Sequence, residues 1–211
     1  DFPDLNPDDI FSVGDADDLF VNEKFDHVTA IGLIEYVKDI NDFFSTLYNL
    51  LNDEGIAFIE SRNKLFNLIS ANDYTSNEEN LPTLIKELDS IAHLSPIQEQ
   101  AEVVLNTFRE IGQGLEAATV ETKFEKKSVI KYPFILPQYT PLEVIGFCEK
   151  SDLKVNSIVY YHAHPFAPKF GNGFTQLFNT IGILMQPLGY TPVGAILCSA
   201  FIARIEKNRE S

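Results

Sequence analysis

The chain has 211 residues, 45% of them hydrophobic and 12% aromatic, which is enough for one full-sized domain with a sizeable core and too apolar for a disordered chain. Its formal net charge is −15, and residues 1–60 hold fifteen Asp/Glu against two Lys/Arg, a net −13 in the opening segment. A field of that sign repels nucleic-acid phosphates and anionic lipid, and it reads either as a solvated acidic face or as an attraction for a cationic ligand. No run approaches the roughly 18 uninterrupted apolar residues of a membrane span, and the start Asp1-Phe2-Pro3-Asp4 has neither the basic nor the apolar region of a signal peptide. The expectation is a soluble, cytoplasmic protein with no nucleic-acid and no membrane partner.

In chain order, residues 1–9 are rich in Asp and Pro and read as a leading loop. A short strand over 10–13 runs into the turn Gly14-Asp15-Ala16-Asp17-Asp18-Leu19, and a second strand is expected over 25–31, where the residues are apolar and β-branched enough for a buried parallel strand. A helix over about 41–51 carries Phe43, Phe44, Leu47, Leu50 and Leu51 at helical spacing, which buries one face on the sheet. Asn52-Asp53-Glu54-Gly55 ends it, and a third strand over 56–60 leads to Ser61-Arg62-Asn63. Strand, helix and strand with short links imply parallel, right-handed crossovers. Ligands of such sheets bind outside the carboxyl ends of the strands, so Asp15, the 32–36 segment and Arg62 with Asn63 should face a common crevice.

From Lys64 the character changes. A short helix is expected over 65–69 and a polar loop over 71–80; Asn80 then caps a helix with Pro82 near its first turn and Leu84, Ile85, Leu88, Ile91 and Ala92 on its apolar face. Ser95-Pro96-Ile97-Gln98 resembles a capping box that restarts a helix through Ala101, Val104, Leu105, Phe108 and Ile111. Gly112-Gln113-Gly114-Leu115-Glu116-Ala117 has the Gly-x-Gly-x-x-Ala form, but it follows a helix rather than a strand and reads as a helix stop. Thr140-Pro141-Leu142-Glu143 is another capping box, opening a helix through Ile145, Phe147 and Cys148 that stops near Ser151-Asp152. A strand over 155–161 follows. The 162–192 segment mixes a Pro/Gly loop with a Phe-rich apolar stretch around Phe174, Leu177, Phe178, Ile181 and Leu184, and a last strand spans 194–205. Cys148 and Cys198 sit among apolar neighbours without metal-ligand spacing and read as buried thiols, not a disulfide framework.

The string Gly14-Asp15-Ala16, Leu19, Phe25-Asp26-His27-Val28, Gly32-Leu33-Ile34-Glu35-Tyr36-Val37, Leu50-Leu51 and Gly55 before a strand resembles the second half of the cofactor-binding core of class I S-adenosylmethionine-dependent methyltransferases. Tyr139-Thr140-Pro141 opening a helix and Ser199-Ala200-Phe201-Ile202 in a last strand near Lys207 are similar to the small-molecule branch of that family. The resemblance implies an α/β, Rossmann-like doubly wound sheet, mostly parallel with an antiparallel last strand at its end, plus a helical insertion. Residues 1–63 would be the second half of the cofactor-binding core, 64–138 the helical insertion or lid, and 139–211 the C-terminal part of the sheet with its substrate-side loop at 162–192. The family's glycine-rich turn, and the acidic residue ending the strand after it, would precede Asp15; only fourteen residues do, so the chain is expected to start inside the fold.

The resemblance also implies roles. Asp15 would accept from the adenine amino group, with the Ala16 amide at a ring nitrogen, although Gly-Asp is also common in plain turns. Ile31, Gly32 and Leu33 would meet the methionine part of the cofactor. Glu35 and Tyr36 would reach the substrate or merely start a helix, where acid is favourable; Arg62 and Asn63 would grip a substrate carboxylate or hydroxyl, or form a surface pair. His162 and His164 bracket Ala163, which puts both on one face if the strand continues. Each reads as a structural histidine or as a general base, and a metal site would need further ligands that the sequence does not offer. The function implied is methyl transfer from S-adenosylmethionine to a small molecule such as a sugar or secondary metabolite. The alternative is a non-catalytic methyltransferase-like fragment acting as a binding or assembly module.

Overall fold

The computed structural model describes residues 23–70, 84, 87, 90–94, 136–165, 167–168 and 175–209. Its elements are β1 (Phe25–Ala30), α1 (Ile40–Leu50), β2 (Leu51–Arg62), a 3₁₀ turn (Lys64–Phe66), α2 (Asn67–Ser70), α3 (Pro141–Lys150), β3 (Leu153–Ala163), α4 (Thr175–Met185), a second 3₁₀ turn (Gln186–Tyr190), α5 (Gly194–Leu197) and β4 (Cys198–Lys207), with a further 3₁₀ turn at Ala92–Leu94. The strand over 10–13, Asp15, Ala16, the loop over 71–80 and the helix and glycine motif over 95–117 lie outside the described residues. Of the helix expected after Asn80, Leu84 and Ile91 are described, both helical and buried in the core.

The four strands form one sheet in the order β1-β2-β4-β3. β1 pairs with β2 in parallel, whereas β4 is antiparallel to both β2 and β3. Three strands therefore share one direction and the last opposes them, as the resemblance implied. Its place differs from the expectation. β4 lies between β2 and β3, and β3 is the outer strand among the described residues, because β4 returns along the inner side of β3 after the 164–197 segment. The expected strand start at 194 is also displaced. Residues Gly194–Leu197 form a helical turn, held by i→i+3 bonds such as Ala195 N–H to the Pro192 carbonyl at 3.1 Å, before extended backbone begins.

Local signals explain the other elements. Asp39 has extended backbone and its carboxylate accepts from the Asn41 and Asp42 amides at 2.8 and 3.2 Å, which satisfies donors that a first turn leaves free. α1 then buries Phe44 and Leu47. Between the register pairs Phe25↔Leu51 and His27↔Ile56 the chain 52–55 bulges out of the ladder, so the expected turn survives inside a longer strand. A Cβ at Gly55 would stand 2.8 Å from the Phe25 carbonyl oxygen, which fits a bare glycine at that close approach. The capping box of α3 is complete: Thr140 Oγ1 accepts from the Glu143 amide at 3.1 Å and Glu143 Oε2 from the Thr140 amide at 2.7 Å. α1 and α3 pack through the stacked rings of Phe44 and Phe147, centroids 5.8 Å apart. The core below them joins Leu51, Ala57 and Ile59 of β2, Leu153 and Ile158 of β3, and Phe201, Ala203 and Ile205 of β4. The Phe-rich stretch becomes α4, which buries none of its residues and leaves Leu177, Ile183 and Leu184 exposed.

Candidate functional site at the carboxyl strand ends

Because β1, β2 and β3 share a direction, their carboxyl ends meet at one end of the sheet. After β1, Ile31 is exposed and Gly32 adopts φ +61°, in the left-handed region that favours glycine. Ile34 anchors this segment in the core, and the Tyr36 amide closes a turn on the Leu33 carbonyl at 2.9 Å. Leu33 is half-buried and Tyr36 exposed. Glu35 is buried, and its Oε1 accepts from the Arg62 backbone amide at 2.8 Å. That bond ties the post-β1 segment to the end of β2 and fixes where Gly32 sits.

At the end of β2 the two polar neighbours diverge. Arg62 is exposed, while Asn63 is buried and its side chain serves the backbone. The Asn63 amide group donates to the carbonyls of Ala195 at 2.7 Å and Cys198 at 2.8 Å, and its oxygen accepts from the Leu65 amide at 3.1 Å. Asn63 thus clamps the α5–β4 junction to the end of β2.

At the end of β3, His162 has φ +56° and is exposed, with its ring 4.5 Å from that of Tyr161. The left-handed residue interrupts the strand's alternation, so His164 does not repeat the setting of His162. It is half-buried between the rings of Phe66 and Phe178, at centroid distances of 4.7 and 5.4 Å, and its Nδ1 is buried without a hydrogen-bond partner among the described residues. Burial, and secondarily the neighbouring His162, lowers the His164 pKa and favours the neutral imidazole.

Residues 4–59 match the family model of a methyltransferase domain. The methyltransferase resemblance is thus found on the stretch that carries β1, α1 and most of β2. Among solved structures, the chain is similar to PKMT2 from Rickettsia typhi, at 16% identity and a TM-score of 0.38 over 91% of this chain and 38% of that one. It is similar also to the same protein in complex with AdoHcy, at 13% identity and a TM-score of 0.37 over 92% and 38%. The chain spans less than half the length of those structures. No curated protein matches it.

In the methyltransferase-like segment, the nearest atom among the described residues to a Cβ placed on Gly32, its chain neighbours aside, would be Glu60 Oε2 at 3.9 Å, an ordinary contact distance. Backbone at that turn can approach a ligand closely, so the residues present fit a methionyl group laid against the end of β1. Beside it stands a pair that sequence reasoning missed. The Tyr161 hydroxyl donates to Glu60 Oε1, bridging β2 and β3 across β4, where Glu60 pairs with Ile202 and Tyr161 with Ala200. Burial, and then this bond, raises the Tyr161 phenol above its ordinary pKa. Glu60 and Tyr161 lie 101 residues apart, and only the position of β4 brings them within reach. Cys148 and Cys198 are buried thiols, each pushed up to about 12, chiefly by burial. No helix of the described residues is long and apolar enough to cross a membrane.

Proposed function

We propose that this chain serves S-adenosylmethionine-dependent methyl transfer to a small-molecule acceptor, of sugar or secondary-metabolite class. The observation that carries the reading is the methyltransferase-domain match over 4–59, within which Gly32 turns with positive φ at the end of β1. In this reading Ile31, Gly32 and Leu33 lie along the methionine part of the cofactor, Asp15 and Ala16 take the adenine, and Tyr36 and Arg62 line the acceptor side. Glu35 and Asn63 hold the walls of the crevice through the backbone bonds described above. The cofactor when bound supplies an activated methyl group. The chain's task is then alignment of nucleophile and methyl carbon, an effect that can supply about 7 to 11 kcal/mol. A histidine at the end of β3, His162 or His164, would take the proton of a hydroxyl acceptor, contributing a factor of about 10² to 10⁴. A cytoplasmic location and the absence of nucleic-acid partners belong to the same proposal.

The test is calorimetric titration of the protein with S-adenosylmethionine. Saturable binding is expected, and Asp15→Ala should weaken it by roughly 1 to 3 kcal/mol, the cost of leaving a buried partner unsatisfied. Absence of binding by the wild-type protein would turn the reading toward a non-catalytic module. Unchanged affinity in a folded Asp15→Ala protein would return Asp15 to a turn residue.

A further inference from the structure

Among the described residues, and leaving the chain neighbours of Gly32 aside, Glu60 Oε2 is the one atom within 4 Å of where a Cβ on Gly32 would stand, at 3.9 Å. Its position is fixed at both ends. Its backbone sits inside β2, paired with Ile202, and its Oε1 is held by the Tyr161 hydroxyl, which leaves Oε2 on the side of Gly32. Among the described ion pairs Glu60 has no basic partner, and Lys64, four residues later, is paired with Glu143 at 3.5 Å. A half-buried carboxylate held by a phenol and facing the Gly32 turn is suited to receive a cation rather than an anion.

We propose that Glu60, held in place by Tyr161, is the residue that recognises the positive charge of the sulfonium in the methyl donor. The inference rests on the reading that the methionine part of the cofactor lies against Gly32. Its chemical consequence follows from charge balance. As the bond from methyl carbon to acceptor nucleophile forms, the carbon–sulfur bond breaks and its electron pair goes to sulfur, so the cationic sulfonium becomes a neutral thioether. Glu60 therefore favours the substrate form of the cofactor over its product, and the site releases the demethylated nucleoside more readily than it releases the donor. Because the charge is strongest before transfer, this contact stabilises the ground state at least as much as the transition state, so it acts on cofactor selection more than on the chemical step.

The experiment compares S-adenosylmethionine with S-adenosylhomocysteine, which keeps the adenosine, ammonium and carboxylate but lacks the positive sulfur. Both are titrated by calorimetry against the wild-type protein, Glu60→Gln and Tyr161→Phe, with the melting temperature of each variant as a check on folding. The wild type is expected to prefer S-adenosylmethionine. Glu60→Gln should weaken S-adenosylmethionine about tenfold while changing S-adenosylhomocysteine less than twofold, and Tyr161→Phe, which keeps the carboxylate but frees it to rotate, should lie between. Equal losses for both nucleosides would place the ammonium at Glu60 and overturn the sulfonium assignment, as would unchanged affinities in a folded variant. Binding of neither nucleoside by the wild type would instead remove the methyl-donor reading on which the inference depends. Where Glu60→Gln fails to fold, the preference measured in Tyr161→Phe decides, and an undiminished preference there overturns the proposal.

Discussion

Replacing Asn63 by alanine removes three hydrogen bonds at once: 2.7 Å to the Ala195 carbonyl, 2.8 Å to the Cys198 carbonyl and 3.1 Å from the Leu65 amide. Asn63 is 1% exposed, so solvent does not readily replace them. With a net value of about 0.5 to 1.5 kcal/mol per bond, the expected loss is about 3 kcal/mol. For a chain of this size each kcal/mol lowers the melting temperature by roughly 2 to 4 °C, which gives a fall of about 6 to 12 °C. Urea unfolding followed by circular dichroism measures the free energy, and a thermal scan checks it. Asn63→Asp should be at least as damaging, because its second carboxylate oxygen would face two carbonyls. A loss below about 0.5 kcal/mol in Asn63→Ala would refute the argument that the side chain clamps the α5–β4 junction, since a single bond of the three is worth at least that much.

Three further outcomes follow from the same structure. Thr140→Ala should cost about 1 kcal/mol in urea unfolding, since it breaks the capping box of α3, and Thr140→Asp should recover most of it. Cys148 and Cys198 are buried with thiol pKa values pushed up to about 12, so a thiol-specific disulfide reagent at pH 8 should label neither in the folded protein and both in denaturant. His164 has a pKa held below its ordinary value of about 6.5, by burial first and by His162 second. The folded state then binds its proton less readily than the unfolded chain, so the stabilisation is complete above about pH 6.5 and is lost as pH falls toward the lowered folded value. Urea unfolding across pH 5 to 7 should show that slope in the wild type and a flatter one in His164→Gln.

Local chemistry made much of the fold legible in the sequence. The Thr140 capping box, the stop at Ser151-Asp152 and the spacing of Phe44 and Leu47 each specify an element by contacts within a few residues, and each is present. Non-local pairing was less legible. The antiparallel direction of β4 followed from the resemblance, but its insertion between β2 and β3 depends on which strand edges meet, a choice that no single window encodes. The site shows the same division. Gly32 is readable because only a few residue types tolerate φ +61°, whereas Glu60 and Tyr161 become partners only across an intervening strand. Asn63 illustrates a further difficulty: a polar residue after a strand end looks alike whether it faces a ligand or two carbonyls, and burial alone tells them apart.

The most direct test of a methyl-donor site at the carboxyl strand ends is to map amide chemical-shift changes by nuclear magnetic resonance as S-adenosylhomocysteine is added to the labelled protein. Saturable changes are expected at Gly32, Leu33 and Tyr36 after β1 and at Glu60 and Arg62 of β2, with α3 little affected. Changes confined to α4, or none at saturating nucleoside, would contradict it.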